Sequence, residues 1–189
     1  MRRKYIVGIT GASGSIYAIR LLEELVERNC EVHLVVSTNG FKVFKYETEI
    51  SVEDFIKKLS NRIVLHANDN LFAPIASGSF KTDGMAIVPC SMSTLGEIAC
   101  GVSKSLLGRA ADVCIKERRR LVLVPRETPL SSIHLKNMLT LSEMGVTMLP
   151  AMPGFYNKPV NIVELIDSIV GRVLDSMGIR NNLYNEWGT

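Results

Sequence analysis

A turn rich in glycine and hydroxyl side chains, close to the N-terminus, is the first segment that could bind a ligand. It lies in "KYIVGITGASGSIYAIRLLEEL", residues 4–25, between a β-branched apolar run and residues with helical spacing. Its glycines recur at intervals of three, unlike the G-x-G-x-x-G dinucleotide fingerprint. Free N–H groups and a helix dipole at such a turn attract an anion. The turn is therefore predicted to bind an anion through its glycines and hydroxyls. These residues are Gly8, Thr10, Gly11, Ser13, Gly14 and Ser15. The alternative is a tight turn that binds nothing.

A second turn of the same kind occurs in "VPCSMSTLGEIA", residues 88–99. Ser91, Ser93 and Thr94 follow an apolar strand and open a helix, where capping alone would also favour them. Two such turns at one edge of one sheet favour a ligand with several acceptor atoms, such as a nucleotide-like cofactor. Cys90 is interpreted as buried filler, because no histidine lies near it in the sequence to activate the thiol.

Charged and phenolic side chains follow the later strands. "VPRETPL" (124–130) places Arg126 and Glu127 directly after an apolar run, where a general acid/base would be held rigidly. A structural ion pair between them is the alternative. "PGFYNKP" (153–159) contains Tyr156 in a loop framed by Gly and Pro. Guanidinium and ammonium groups bind phosphate, and the cations that could do so are Arg109, Lys116, Arg126 and Arg172.

Strands that alternate with helices are needed to position these residues. Strand-like runs are predicted at Ile6–Ile9, Val32–Val36, Met85–Val88, Leu121–Val124 and Thr147–Leu149. Helical patterns are predicted at Ile16–Arg28, Val52–Leu59, Thr94–Ala99, Leu135–Met144 and Ile162–Met177. This alternation predicts βαβ units and an α/β fold with a parallel sheet covered on both faces. The residues from 68 to 83 are predicted to form a loop, and ligands of such folds bind beyond the carboxyl ends of the strands.

Composition narrows the function class. The 189 residues suit one domain, predicted to span 1–189, with 47% hydrophobic and 22% charged residues. A net charge of +3 and an aromatic content of 6% argue against nucleic acid as a partner. The four cysteines show no metal-binding spacing, and no apolar run approaches membrane-spanning length. We therefore expect a cytoplasmic protein that binds no membrane and no metal.

Several long segments resemble the UbiX flavin prenyltransferases, formerly described as phenylacrylate or 3-octaprenyl-4-hydroxybenzoate decarboxylases. They are "GITGASGSIYAIRLL", "APIASGSF", "PCSMSTLGEIACGVSKSLLGRAADVCIKERRRLVLVPRETPL", "NMLTLSEMGVTMLPAMPGFY" and "IVGRVLDSMGI". The resemblance covers Tyr5 to about Trp187 and is weakest over residues 41–70, where Glu47 alone is matched. It implies a Rossmann-like three-layer sandwich with a mostly parallel sheet.

The same resemblance implies an activity. Family members transfer a dimethylallyl group from dimethylallyl phosphate to reduced FMN, at N5 and then C6, and the prenylated FMN serves UbiD-type decarboxylases. They form dodecamers, which implies a homo-oligomer here. Aspartate-rich magnesium motifs of prenyl diphosphate enzymes do not occur in this sequence, and positioned cations with a phenol donor can stabilise the departing phosphate instead.

Site residues carry over from the family motifs position by position. By resemblance, FMN would be held by Gly11, Ala12, Ser13, Ser37, Ser91, Met92, Ser93, Thr94 and Arg109. The prenyl phosphate would be held by Lys116, Arg126, Tyr156 and Arg172. The residues implied in catalysis are Glu127 as the acid/base, with Ser15 and Glu47.

Two other functions fit part of the sequence. One is an FMN-dependent decarboxylase of the cysteine-decarboxylase flavoproteins, which rely on a histidine after the second strand and a "PASANT"-like loop. Here residues 37–46 contain no histidine and the loop reads "APIASGSF". The other is a non-catalytic FMN carrier, for which the prenyl-phosphate residues would be unnecessary.

Overall fold

Six strands alternate with seven α-helices along residues 2–184, the part of the chain that the computed structural model describes. The strands are β1 (Lys4–Ile9), β2 (Glu31–Val36), β3 (Ile63–His66), β4 (Gly84–Cys90), β5 (Leu121–Pro125) and β6 (Thr147–Met148). The helices are α1 (Ser15–Glu27), α2 (Thr38–Thr48), α3 (Val52–Leu59), α4 (Met92–Ala99), α5 (Leu106–Lys116), α6 (Ser132–Glu143) and α7 (Ile162–Ser176).

The strands form one sheet in the order β3-β2-β1-β4-β5-β6. Each of the five pairings among the described strands is parallel, so the sheet is parallel throughout rather than mostly so. The strand order reverses between β1 and β4, which are neighbours in the sheet although β2 and β3 separate them in sequence. In doubly wound folds a ligand binds beyond the carboxyl ends of the strands at this switch point.

Two apolar layers cover the sheet, and together with it they make the three-layer α/β sandwich. On one face, β1 side chains such as Tyr5 and Val7 pack with α1 and α7. On the other face, Ile6 and Ile87 pack with α4 and α5. The buried residues of α5 include several small ones, among them Gly108, Ala110 and Ala111.

Helices α1 and α7 are joined by a charged cluster. The Arg20 guanidinium contacts Asp167 on α7 at 2.6 Å and Glu24 on its own helix at 2.6 Å. Glu24 is only 3% exposed and also pairs with Arg28. A buried carboxylate held by two guanidinium groups is compensated in charge. The cluster therefore fixes α1 and α7 against each other.

The predicted loop between β3 and β4 is confirmed, with one 3₁₀ turn at Pro74–Ala76. Hydrogen bonds connect this loop to residues at both ends of α5. The Arg119 guanidinium donates to the carbonyls of Gly78 at 2.5 Å and Phe80 at 2.8 Å. At its other end the carbonyl of Asn68 accepts the N–H of Leu106 at 2.7 Å. The loop is thus held against α5 at both ends.

Three elements have no counterpart in the sequence prediction: α2, β3 and α5. Helix α2 buries only Gly40 and Phe44, so it lacks an apolar stripe. β3 is a four-residue edge strand. Helix α5 buries glycine and alanine at positions 108, 110 and 111, which interrupts the spacing of large apolar residues that reveals a helix. No helix among residues 2–184 is both long enough and apolar enough to cross a membrane.

Candidate functional site

Thr10 ties together the two strands at the switch point. Its buried hydroxyl donates to the carbonyl of Pro89 at 2.8 Å and accepts the N–H of Ser91 at 2.7 Å. The N–H of Thr10 also donates to Pro89, at 3.2 Å. One side chain therefore fixes the turn after β1 relative to the turn after β4. The sequence analysis counted Thr10 among the hydroxyls of the turn without assigning it this role.

A cavity of about 510 Å³ opens at this point, with a polar lining. Five of the predicted flavin residues line it: Gly11, Ser37, Ser91, Ser93 and Thr94. Residues that sequence reasoning missed line it as well, among them Asn39, Asn68, Lys104 and Ser105. We call it the switch-point cavity. Its volume lies in the range of small-molecule sites.

Helices α2 and α4 begin at the switch-point cavity. Their N-caps are Ser37 and Ser91, whose hydroxyls accept the N–H groups of Gly40 at 3.0 Å and Thr94 at 3.3 Å. The first N–H groups of a helix have no acceptor within the helix. Capping by Ser91 therefore leaves the N–H groups of Met92 and Ser93 for a ligand, at the positive end of the helix dipole. The same holds for the first residues of α2.

Helix α5 also begins here, but its first N–H groups are already bonded. Asn68 accepts those of Leu106 and Leu107, the second through its side-chain oxygen at 3.0 Å. The N-cap Ser105 accepts that of Gly108 at 3.2 Å. Asn68 thus provides hydrogen-bond acceptors for the first N–H groups of α5. The sequence predicts only that Asn68 lies in a long loop.

The turn after β1 does bind an anion, and that anion is a carboxylate of the same chain. Glu47 on α2 accepts the N–H of Gly14 at 3.1 Å and that of Ser15 at 2.8 Å. Partial burial would raise the pKa of Glu47, but hydrogen bonds from Ser13, Ser15 and these N–H groups lower it overall. A phosphate cannot use the same two N–H groups. In this structure the N–H groups at the start of α1 are therefore occupied by Glu47.

The other predicted flavin residues lie around the switch-point cavity without lining it. Ala12 is buried, and Ser13 is exposed with its hydroxyl hydrogen-bonded to Glu47. Met92 packs its side chain into the apolar cluster below α4, which leaves its N–H for a ligand. Arg109 donates to the carbonyl of Ala76 at 3.0 Å and pairs with Asp112 at 2.6 Å.

Arg126 and Glu127 lie exposed at the end of β5, close to the first turn. The Arg126 Nε donates to the carbonyl of Ser13 at 3.2 Å, and the Glu127 carboxylate accepts the N–H of Thr128 at 3.0 Å. Both partners are backbone groups. Within residues 2–184 the two side chains form no ion pair with each other. The structure therefore gives no support to the alternative interpretation, an Arg126–Glu127 ion pair.

A second cavity of about 560 Å³ lies beyond β6, and both Tyr156 and Arg172 line it. We call it the edge cavity. Arg172 donates to the Tyr184 hydroxyl at 3.2 Å. Tyr184, which sequence reasoning missed, lines the same cavity. The neighbouring loop joins the end of β5, because the Ala151 N–H donates to the Pro125 carbonyl at 3.1 Å.

Lys116 is not brought to these residues within one chain. Helix α5 begins at the switch-point cavity and runs back along the sheet, so Lys116 lies about 15 Å from its start, given a rise of ~1.5 Å per residue. Its ammonium pairs with Glu117 at 2.6 Å. Lys116 is therefore on the opposite edge of the sheet from Arg126 and Glu127.

Comparisons with known proteins identify the family of this chain. The flavoprotein family model matches residues 1–180. The flavin prenyltransferase UbiX of Halalkalibacterium halodurans is 52% identical, over 97% of this chain and 93% of its own. The crystal structure of AnUbiX in complex with FMN and dimethylallyl pyrophosphate superimposes with a TM-score of 0.95 at 43% identity, covering 100% of this chain and 99% of that one.

A dodecameric FMN-dependent UbiX-like decarboxylase from Escherichia coli O157:H7 gives a TM-score of 0.92 at 47% identity, covering 98% of this chain and 100% of that one. Relatives at this level of identity extend over nearly the whole chain, and the three-layer α/β fold is the one that the resemblance predicted. This chain therefore belongs to the UbiX flavin prenyltransferases of the flavoprotein family.

Proposed function

We propose that this chain transfers a dimethylallyl group from dimethylallyl phosphate to reduced FMN and releases prenylated FMN to a UbiD-type decarboxylase. The observation that carries the proposal is the switch-point cavity, where α2 and α4 present capped N-termini beside a row of hydroxyl groups. FMN has one phosphate and a hydroxylated ribityl chain. These two kinds of donor suit the two parts of that molecule.

The residues present fit FMN. Ser37 and the N–H groups at the start of α2 and α4 would bind its phosphate, because Glu47 and Asn68 already fill the starts of α1 and α5. Ser91, Ser93 and Thr94 would donate to the ribityl hydroxyls and the ring carbonyls. Gly11 brings the first turn against α2, where a Cβ would lie 2.7 Å from the Asn39 Cβ. When bound and reduced, FMN supplies the nucleophilic ring atoms N5 and C6.

The chain's own residues would assist departure of the phosphate from the prenyl group. An allylic phosphate ionises readily when the charge of the leaving group is stabilised, and positioned cations do this without moving during the reaction. Arg126, Tyr156 and Arg172 are the donors at this side of the sheet, and Lys116 would join them from a second copy of the chain. Glu127 would protonate a phosphate oxygen and later accept the proton lost from the ring.

A homo-oligomer would bring Lys116 to the remaining residues. Helix α6 buries only Leu141, while Ile133 is 66% and Leu139 60% exposed. Large apolar side chains in such a group on the surface mark an interaction site. The relative from Escherichia coli is a dodecamer, and we infer a comparable assembly for this protein.

Analysis of the released flavin after incubation tests the proposal. The protein is incubated anaerobically with reduced FMN and dimethylallyl phosphate, then denatured, and the flavin is characterised by mass and absorbance. The proposal expects a flavin heavier by one C₅H₈ unit. Recovery of unmodified FMN would instead support the carrier, and recovery of FAD alone would contradict FMN binding. A parallel incubation with dimethylallyl pyrophosphate compares the two donors.

A further inference from the structure

The chain after α7 folds back onto that helix, and one asparagine holds it there. The Asn181 amide donates to the carbonyl of Gly171 at 3.0 Å and to the Asp175 carboxylate at 2.8 Å. The Asn181 side-chain oxygen accepts the N–H of Leu183 at 3.2 Å. These three bonds fix residues 181–183 against one side of the helix and place Tyr184 beside Arg172.

Gly171 provides the space that the Tyr184 ring occupies. A Cβ at position 171 would lie 2.5 Å from Cδ1 and 2.8 Å from Cε1 of Tyr184. A glycine in a helix interior reduces helix stability relative to alanine. Glycine at this buried position is therefore best explained by the close packing of the Tyr184 ring, which any larger residue would displace.

The Tyr184 hydroxyl links two charged groups. It donates to the Asp175 carboxylate and accepts from the Arg172 guanidinium at 3.2 Å. Arg172 and Asp175 are 4.0 Å apart, too far for a direct hydrogen bond, so the phenol bridges them. Burial and the carboxylate raise the pKa of Tyr184, which keeps its proton available for Asp175.

We propose that Tyr184 is a positioning residue, which holds the Arg172 guanidinium in the edge cavity in the orientation that binds the phosphate of the prenyl donor. The inference rests on the proposed role of Arg172. The Arg172 side chain is 65% exposed and would otherwise sample many rotamers. Fixing one of them before the donor arrives lowers the entropy lost on binding. Asp175 acts through Tyr184, and Gly171 and Asn181 place the phenol.

Steady-state kinetics of Tyr184→Phe test the inference, since the ring stays and only the hydroxyl is lost. We expect the KM for dimethylallyl phosphate to rise about threefold to tenfold, the range for one lost hydrogen bond of ordinary strength. Both kcat and the affinity for FMN should stay within twofold of the wild-type values. Tyr46→Phe, on the exposed Tyr46 of α2, is the matched control and should change none of the three.

Gly171→Ala gives a second and independent variant. Its Cβ displaces the Tyr184 ring while improving helix propensity, so the KM should rise although the melting temperature does not fall. A merely structural role for the folded-back segment predicts the reverse, a lower melting temperature with an unchanged KM.

A double-mutant cycle separates failure of this inference from failure of the proposed function. Tyr184→Phe should add no further effect to Arg172→Ala. If Arg172→Ala leaves the KM unchanged, the proposed role of Arg172 is wrong. If Arg172→Ala raises the KM but Tyr184→Phe and Gly171→Ala do not, the positioning role alone is wrong.

Discussion

Within residues 2–184, Glu127 forms no ion pair, and its side chain is exposed. Its carboxylate accepts the Thr128 N–H, and it lies exposed beside the turn that precedes α1. A group in this position is free to exchange a proton with a bound substrate. The Glu127→Gln variant should keep FMN binding, because the amide preserves size and most hydrogen bonding. Prenyl transfer should fall by roughly 10²–10⁴-fold, the contribution of a general acid/base.

Single-turnover kinetics on flavin-loaded Glu127→Gln measure this change. A rate within a few-fold of the wild-type rate would remove Glu127 from the mechanism and direct attention to Ser15. A lower melting temperature with loss of flavin and an unaltered rate per bound flavin would point to a structural role.

Glu47 should contribute stability that depends on pH. Its pKa in the folded protein lies below the ordinary value of about 4.5, so its contribution is complete above that pH and disappears as the pH falls through the folded value. Glu47→Gln should lower the unfolding free energy by about 0.5–1 kcal/mol at pH 7, as for other lost N-terminal caps on an exposed surface. Urea titrations at pH 7 and pH 3.5 compare the two proteins. An equal difference at both values would contradict the role of the charge.

At the residue scale, the sequence identifies donors better than their partners. Ser91 and Thr94 are visible because they follow an apolar run and open a helix. Glu47 is 33 positions from Gly14, in a helix without a periodic apolar face, so local pattern gives no sign that the two meet. Glu47 was identified by the resemblance to the family, whereas the anion-binding turn was predicted from the spacing of its glycines and hydroxyls alone.

At the element scale, Thr10 is expected to control how the turns after β1 and β4 meet. Thr10→Val keeps the shape of the side chain but leaves the Ser91 N–H and the Pro89 carbonyl without that partner. The unfolding free energy should fall by about 1–3 kcal/mol, and FMN should bind more weakly because Ser91 lines the cavity. Thr10→Ser, which retains the hydroxyl, is the control. Equal FMN affinity in all three proteins would show that the bond does not shape the cavity.

Elements with large apolar residues at regular spacing could be predicted, and those without could not. Residues 52–59 form α3 as predicted, and α7 ends one residue before its predicted limit. Helix α5 escaped prediction because Ala110 and Ala111 pack it against the sheet, and alanine carries little periodic signal. Helices α2 and α5 carry Glu47 and Lys116. Sequence pattern therefore could not show which elements position these two residues.

For the whole molecule, we expect activity without a metal ion. Within residues 2–184, no group of three or more His, Cys, Asp or Glu side chains is arranged to hold one. Arginine and lysine side chains would stabilise the phosphate in its place. Prenyl transfer should therefore be unchanged by EDTA and by added magnesium. Activity that EDTA abolishes and magnesium restores would contradict the proposal.

Acid should destabilise the molecule through a histidine pair between β2 and β3. The His33 Nδ1 and the His66 Nε2 are 2.8 Å apart, and the His33 Nε2 contacts Glu31 at 3.1 Å. Burial lowers the pKa of both rings, so the unfolded chain binds more protons as the pH falls below about 6.5. The stability that the neutral pair provides is present above that pH and is lost toward the lower folded pKa.

Melting temperatures between pH 8 and pH 5 test this for the wild type and His66→Gln. The wild-type melting temperature should fall more steeply with acid than that of the variant. His134→Gln, which changes the half-buried histidine in the first turn of α6, should follow the wild type. Parallel curves for wild type and His66→Gln would exclude the pair as the cause.

The cluster between α1 and α7 has a mechanical consequence. Helix α1 starts at the turn after β1, α7 carries Arg172, and the Arg20–Asp167 contact joins the two helices between these points. The turn after β1 and the part of α7 that carries Arg172 are therefore parts of one rigid frame, and a displacement of one carries the other with it. Any closing movement over the prenyl donor must then come from outside the frame, from the loop at residues 150–160 or from a neighbouring copy of the chain. The distance between flavin and Arg172 would stay constant through each catalytic cycle.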